Sequence, residues 1–168
     1  MSRQITEIHV HHAALDADYD RAFVWHTAAK PDGGRGWRDI GYHVYVEASG
    51  AVRLGRPIDQ IPASISGRNA GALAVCVGID GRDLDGGHRL TLWWSALVSV
   101  IADWMIRHDL PPSAIIEHRD GQKDRDCPGW PTSTSEDLIE DCAARASVIR
   151  AHRERELARM RRAVARRS

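Results

Sequence analysis

Apolar and polar positions along this 168-residue chain change period several times, and each change marks an element. Positions 5–11 place the β-formers Ile8 and Val10 in a run without a breaker, which predicts a strand. Positions 18–29 fit a short helix closed by the turn cluster "KPDGG". The stretch "IGYHVYVEASGAVRLGR" alternates Tyr42, Val44 and Val46 against His43, Tyr45 and Glu47 before a Ser-Gly turn, the pattern of a hairpin. "ALAVCVGI" is apolar on both faces, as a strand covered on both sides must be, and Cys76 inside it reads as a small buried hydrophobe. From Leu90 the apolar positions 90, 93, 94, 97, 98, 101, 104 and 105 form one helical stripe, which assigns Trp93, Trp94 and Trp104 to the core. "DLPPSAIIE" adds a turn and a short strand, and Ser133 or Ser135 is placed to cap a last helix beginning near Glu136. The stripe of that helix (Leu138, Cys142, Ile149, Leu157, Met160, Val164) thins after Ile149, so its second half is expected to dock loosely if at all. The expected fold is α/β, a single domain with a central mixed β-sheet flanked by helices, plus a basic C-terminal helix.

Composition refines this picture in two places. Hydrophobic content of 43% and charged content of 27% are those of a globular body. The formal net charge of zero conceals an asymmetry. From position 145 to the end there are nine arginines against Glu154 and Glu156, an excess of seven positive charges, so positions 1–144 carry seven negative ones. A mildly acidic body with a basic tail predicts an anionic partner for the tail. The expected division is 1–142 for the body and 143–168 for the basic helical extension. No stretch is long and apolar enough to suggest a transmembrane segment, and "MSRQITEIHVHH" lacks the apolar core of a signal peptide. Cys76, Cys127 and Cys142 form an odd set without framework spacing, which points to reduced thiols made in a cytoplasm.

The nine histidines matter by placement. His9, His11 and His12 end the first strand, with His9 and His11 on one face and His12 on the other. His118 follows the strand at 114–117, and Cys127 lies beyond it on a loop restricted by Pro128 and Gly129. Two imidazoles and one thiolate make a coherent zinc set with a fourth position left for water, the arrangement of catalytic sites. Spacing alone leaves the alternative open that positions 118–127 are a solvated loop.

The order "IHVHHAA … WH … GWRDIGYHVYVEASGAV … GR … GRNAGALAVCVGI … EHRD … CPGW" resembles the zinc N-acetylmuramoyl-L-alanine amidases, the type-two amidase family that includes amidase-type phage lysozymes and the peptidoglycan-recognition proteins. The likeness runs from about position 5 to 130. It implies zinc held by His11, His118 and Cys127, with Tyr42 facing the metal-bound water or the substrate carbonyl. It implies a cation two positions before the cysteine, Arg125, as the partner that stabilises the intermediate, with Lys123 as the fallback. Trp37 of "GWRD" and Asn69 of "GRN" are the implied substrate-binding residues. Proton transfer to the leaving amine then falls to the zinc water, Tyr42 or a histidine such as His43, because arginine stays protonated.

Two departures stand out. The His-to-Cys separation is one residue longer than is common in the family, which leaves Lys123 and Arg125 open. "PASISGRN" places Ser64 where many members have a histidine. Binding-only members tend to lack the cysteine, so Cys127 favours an enzyme. The resemblance thus implies a monomeric peptidoglycan hydrolase that cleaves between N-acetylmuramic acid and L-alanine. Without a signal peptide it fits a phage or prophage endolysin that acts on the periplasmic wall after release from the cytoplasm. The alternatives are a cytoplasmic muropeptide-recycling amidase and a non-catalytic peptidoglycan-binding protein. For the tail, an anionic envelope surface (lipopolysaccharide or lipid) is the expected partner, with a merely solvated helix end as the alternative. Nucleic acid is disfavoured because no aromatic residue interleaves the tail's arginines.

Overall fold

In the computed structural model, which describes residues 3–84 and 86–165, five strands form one sheet in the order β3-β2-β4-β1-β5. The strands are β1 (Glu7–His12), β2 (Val44–Glu47), β3 (Val52–Leu54), β4 (Ala72–Gly78) and β5 (Ile115–Glu117). β1, β2, β4 and β5 run parallel, and β3 folds back antiparallel on β2, so the sheet is mixed as expected. Four helices accompany it: α1 (Tyr19–Thr27), α2 (Leu92–Arg107), the single turn α3 (His118–Gly121) and α4 (Thr132–Ala165).

Side-chain parity divides the sheet into two faces. Ile8 and Val10 of β1, Val44 and Val46 of β2, and Leu73, Val75 and Val77 of β4 meet α2 and the first half of α4 in the main core. The opposite parity is smaller and more polar: Ala74 and Cys76 on β4, His9 and His11 on β1, Tyr45 on β2. Tyr45 and Cys76 pack with Ala22 and Ile40, and with the partly buried Tyr19, Phe23 and Tyr42. Short side chains on the central strand leave room on that face for a cleft. All seven residues of β4 are buried, as its two-sided apolar pattern predicts.

The long helices differ from expectation at their starts. The α2 stripe is buried from Trp93 to Met105, but Leu90 lies in a preceding 3-10 turn and is 93% exposed, because Thr91 caps the helix after it. α4 begins at Thr132 rather than near Glu136. Pro131 supplies the first acceptor carbonyl, to the N–H groups of Thr134 (3.0 Å) and Ser135 (3.3 Å), so neither Ser133 nor Ser135 is the cap. At about 1.5 Å per residue the helix is roughly 50 Å long. Leu138, Cys142 and Ala146 pack into the core, whereas Leu157, Met160 and Val164 are exposed. The thin stripe therefore forms helix without docking; Arg166 and Arg167 lie outside the described residues.

Candidate active site

Register builds the centre of the cleft. Val10 of β1 pairs with Glu117 of β5, so the residues that follow, His11 on β1 and His118 at the start of α3, lie side by side at the carboxyl end of the sheet. Their rings lie 4.6 Å apart. Cys127 returns to them on the loop after α3, its Sγ 3.6 Å from His11 Nδ1 and accepting from the His12 backbone N–H at 3.5 Å. Ligand atoms of His11, His118 and Cys127 all lie within 4.8 Å of one another.

This set fits a zinc ion on three counts. Tetrahedral bonds of about 2.3 Å to sulfur and 2.0–2.1 Å to nitrogen put those two atoms about 3.5 Å apart, and the observed N···S separation is 3.6 Å. Burial, with His118 beside it, holds the His11 imidazole well below its usual pKa, which keeps it neutral; its buried Nε2 has no hydrogen-bond partner among the described residues. His118 Nε2 meets Gln122 Oε1 at 2.7 Å, an outer bond that orients the ring and leaves Nδ1 as the free lone pair. Burial, with Asp126 and Glu117 nearby, pushes the Cys127 thiol up to about 12 despite the His12 N–H bond, and a bound cation would reverse that preference.

The surrounding residues hold the Cys127 loop in place. Buried Glu117 accepts from Trp130 Nε1 and from Arg119 Nε, both at 2.7 Å. Arg119 also donates to the Trp130 carbonyl (2.8 Å) and to Ser135 Oγ (2.7 Å), and its backbone N–H donates to the Cys127 carbonyl (2.9 Å). On the far side Gly81 packs so closely on the Pro128 carbonyl that a Cβ would collide with it, and the Gly81 N–H donates to His12 Nδ1 at 3.0 Å.

His11, His118 and Cys127 lie in a cleft of about 770 Å³ that Tyr42, Trp37, Ser64, Asn69, Gln122 and Arg125 also line. The Tyr42 ring sits 5.2 Å from that of His11. Burial raises the Tyr42 phenol well above its usual pKa, with the Cys76 and Cys127 thiols adding to the effect, so it remains a donor. Arg125 reaches the cleft from an exposed loop where its near charge is Asp124, at 3.7 Å. Lys123 does not line the cleft. His43, named as a candidate proton donor, points elsewhere. Its Nδ1 accepts from Ala74 N–H (2.9 Å) and its Nε2 meets the Gln60 carbonyl (3.0 Å), so it braces the sheet instead.

No protein-family profile matches the chain. Over 124 residues it is 27% identical to an endolysin of Enterobacteria phage K11, spanning 70% of this chain and 77% of that protein. An endolysin of Klebsiella phage KP32 is 27% identical over 127 residues, covering 67% of this chain and 80% of its own. Among solved structures, the Ph2119 endolysin of a Thermus scotoductus bacteriophage superposes with a TM-score of 0.66 at 23% identity, over 84% of this chain and 87% of that one. The N-acetylmuramoyl-L-alanine amidase LysC from Clostridium intestinale gives a TM-score of 0.63 at 20% identity, over 82% and 86%. The chain has the type-two amidase fold.

Within that fold, sequence reasoning left His26 and Gln122 of the cleft unassigned. His26, near the end of α1, is buried, stacks on Trp37 with centroids 4.9 Å apart, and meets the Tyr42 ring edge-on at 5.4 Å. Its Nδ1 accepts from the Gly41 N–H at 3.2 Å, so one imidazole braces the segment carrying both aromatics. The only signal in the sequence was the "WH" pair within the resemblance, because a histidine on a short amphipathic helix is otherwise unremarked. Gln122 was missed for the same reason: nothing in "DGQKD" marks which polar residue turns back to His118.

Proposed function

We propose that this protein is a phage-type endolysin, a zinc-dependent amidase that hydrolyses the bond between N-acetylmuramic acid and L-alanine in peptidoglycan. The observation that carries this reading is the His11–His118–Cys127 cluster on the floor of a cleft, with ligand atoms within 4.8 Å of one another and the Tyr42 ring beside them. The endolysin relatives, similar over about two thirds of the chain, support the wall as the substrate. In this reading the protein acts on the wall after release from the cytoplasm.

His11, His118 and Cys127 would hold a zinc ion, which would supply Lewis acidity toward an amide carbonyl and a lowered pKa for water at that position. The chain's own groups do the rest. Gln122 fixes the His118 ring. Tyr42, protonated at neutral pH, donates its O–H to the oxygen on which negative charge develops. Arg125 adds a permanent positive charge at the cleft edge and acts by hydrogen bonding and charge, not by proton transfer. Trp37, flanked by His26 and by the Arg35 guanidinium 5.1 Å from its ring, offers an aromatic wall, and Asn69 offers a polar contact. Positions 1–142 are the catalytic unit and 143–168 a basic extension that engages an anionic envelope surface, lipopolysaccharide or lipid.

Digestion of purified peptidoglycan with mass analysis of the products tests bond and activity together. Free L-alanine N-termini and intact glycan chains are expected, with about one zinc per chain. Glycan cleavage, or no release by zinc-loaded protein, overturns the reading. His118→Ala and Cys127→Ala should each lose both zinc and activity.

A further inference from the structure

Beside the ligand cluster a second set of polar groups reaches the same cleft. His9, fully buried on β1, touches Ser64 Oγ through Nδ1 at 2.8 Å and Glu7 Oε2 through Nε2 at 2.9 Å. Glu7 is in turn clamped by Arg68 at 3.0 and 2.7 Å. Ser64 Oγ also lies 2.9 Å from Asn69 Oδ1, which accepts the N–H groups of Ser64 and Ile65, each at 3.0 Å.

Proton counting fixes what Ser64 shows to the cleft. A carboxylate only accepts, so the Glu7 contact places a proton on His9 Nε2. Two backbone N–H groups define the Asn69 oxygen as an acceptor. The single hydroxyl proton of Ser64 then goes to His9 Nδ1 or to Asn69 Oδ1, and both lie inward. In either arrangement Oγ keeps at least one lone pair and has no proton left for a ligand. Asn69 Nδ2, by contrast, has no hydrogen-bond partner among the described residues and keeps its donors. Ser64 and Asn69 both line the cleft. Side by side they present an acceptor and a donor, the complement of a secondary amide.

We propose that Ser64 Oγ accepts a hydrogen bond from an amide N–H of the muramyl-peptide substrate while Asn69 Nδ2 donates to a carbonyl, and that Glu7 and His9 are positioning residues that keep the serine proton turned away from the cleft. This rests on the peptidoglycan reading above. It makes position 64 specific for an N–H donor: a ligand offering a carbonyl there meets oxygen against oxygen.

Steady-state hydrolysis of soluble muropeptides by the zinc-loaded full chain, with calorimetric binding of the same muropeptides, tests this. Ser64→Ala should raise KM about tenfold, the loss of roughly one net hydrogen bond, with kcat within about twofold. Ser64→Thr, which keeps the hydroxyl, should restore KM. His9→Phe should raise KM to a similar degree, and the His9→Phe/Ser64→Ala pair should be no worse than Ser64→Ala alone, because both remove one interaction. Additive effects in the pair, or an unchanged KM in folded, zinc-replete Ser64→Ala, overturn the proposal. If the wild-type chain binds muropeptide without cleaving it, the amidase reading fails, and the dissociation constants of the same variants decide the subsite. If it neither binds nor cleaves, both fail.

Discussion

Glu117 shows how one residue can serve the fold and the site together. Its two oxygens tie Trp130 and Arg119 to the end of β5, and those two residues hold the loop that carries Cys127. Trp130→Phe keeps most of the buried ring but leaves Glu117 Oε1 without its donor. A loss of about 1–3 kcal/mol is expected for an unsatisfied buried acceptor, measured by urea unfolding, together with weaker zinc retention against a chelator. Unchanged stability would mean the loop is held by packing alone. Two histidines set a pH limit at the same scale. Burial lowers both His26 and His43 to about 4. The unfolded chain, with ordinary histidines near 6.5, therefore binds more protons between those values, so stability is complete above about pH 6.5 and falls as pH drops toward 4. Urea midpoints measured from pH 7 to 4.5 should decline through this window, and less steeply in His43→Gln; equal slopes would remove His43 as a cause. At this scale the motif order pointed to His11, His118, Cys127 and Tyr42, and these four side chains do gather in one cleft. Ser64's inward proton, the His26 brace and the orientation of His43 were not legible, because each depends on which neighbour arrives from a distant segment.

Element by element, the sheet was read well because hydrophobic parity reports burial directly: β4, apolar at every position, lies at the centre, and β1 sends His9 and His11 to the cleft face. Register between β1 and β5 was invisible in the sequence, yet it alone brings His11 beside His118. The start of α4 was misplaced because a serine near a helix start suggests a cap, whereas Pro131 and the Arg119–Ser135 bond had already fixed that turn. What docks α4 follows from magnitudes. Arg89 pairs with Asp137, Glu140 and Asp141 but is substantially exposed, and exposed pairs contribute about 0–1 kcal/mol. Leu138 is 1% exposed, and truncating such a residue costs about 2–5 kcal/mol. Leu138→Ala should therefore lower the thermal midpoint by several times the effect of Arg89→Ala. The reverse order would make the ion pairs, rather than packing, the clamp on α4.

Across the whole molecule, charge and packing part company along α4. Ala146 is its last deeply buried residue among the described side chains, and beyond it Arg153, Arg155, Arg159, Arg161 and Arg162 are exposed together with Leu157, Met160 and Val164. A helix end whose described side chains are exposed gains little from the body, and the proposed anionic surface would meet its arginines and apolar side chains together. Removing positions 151–168 deletes seven arginines and two glutamates and leaves the buried part of α4 intact. The shortened chain should keep its thermal midpoint within a few degrees and its rate on purified peptidoglycan within about twofold. Its binding to vesicles containing anionic lipid should fall at least tenfold, while binding to zwitterionic vesicles stays weak for both forms. For the full chain, the anionic binding should weaken as salt rises from 0.05 to 0.5 M, because exposed charges are screened over about 10 Å at 0.1 M. Equal vesicle binding by the two forms would reduce the extension to a solvated helix end, and a large drop on purified wall would place it within the catalytic unit.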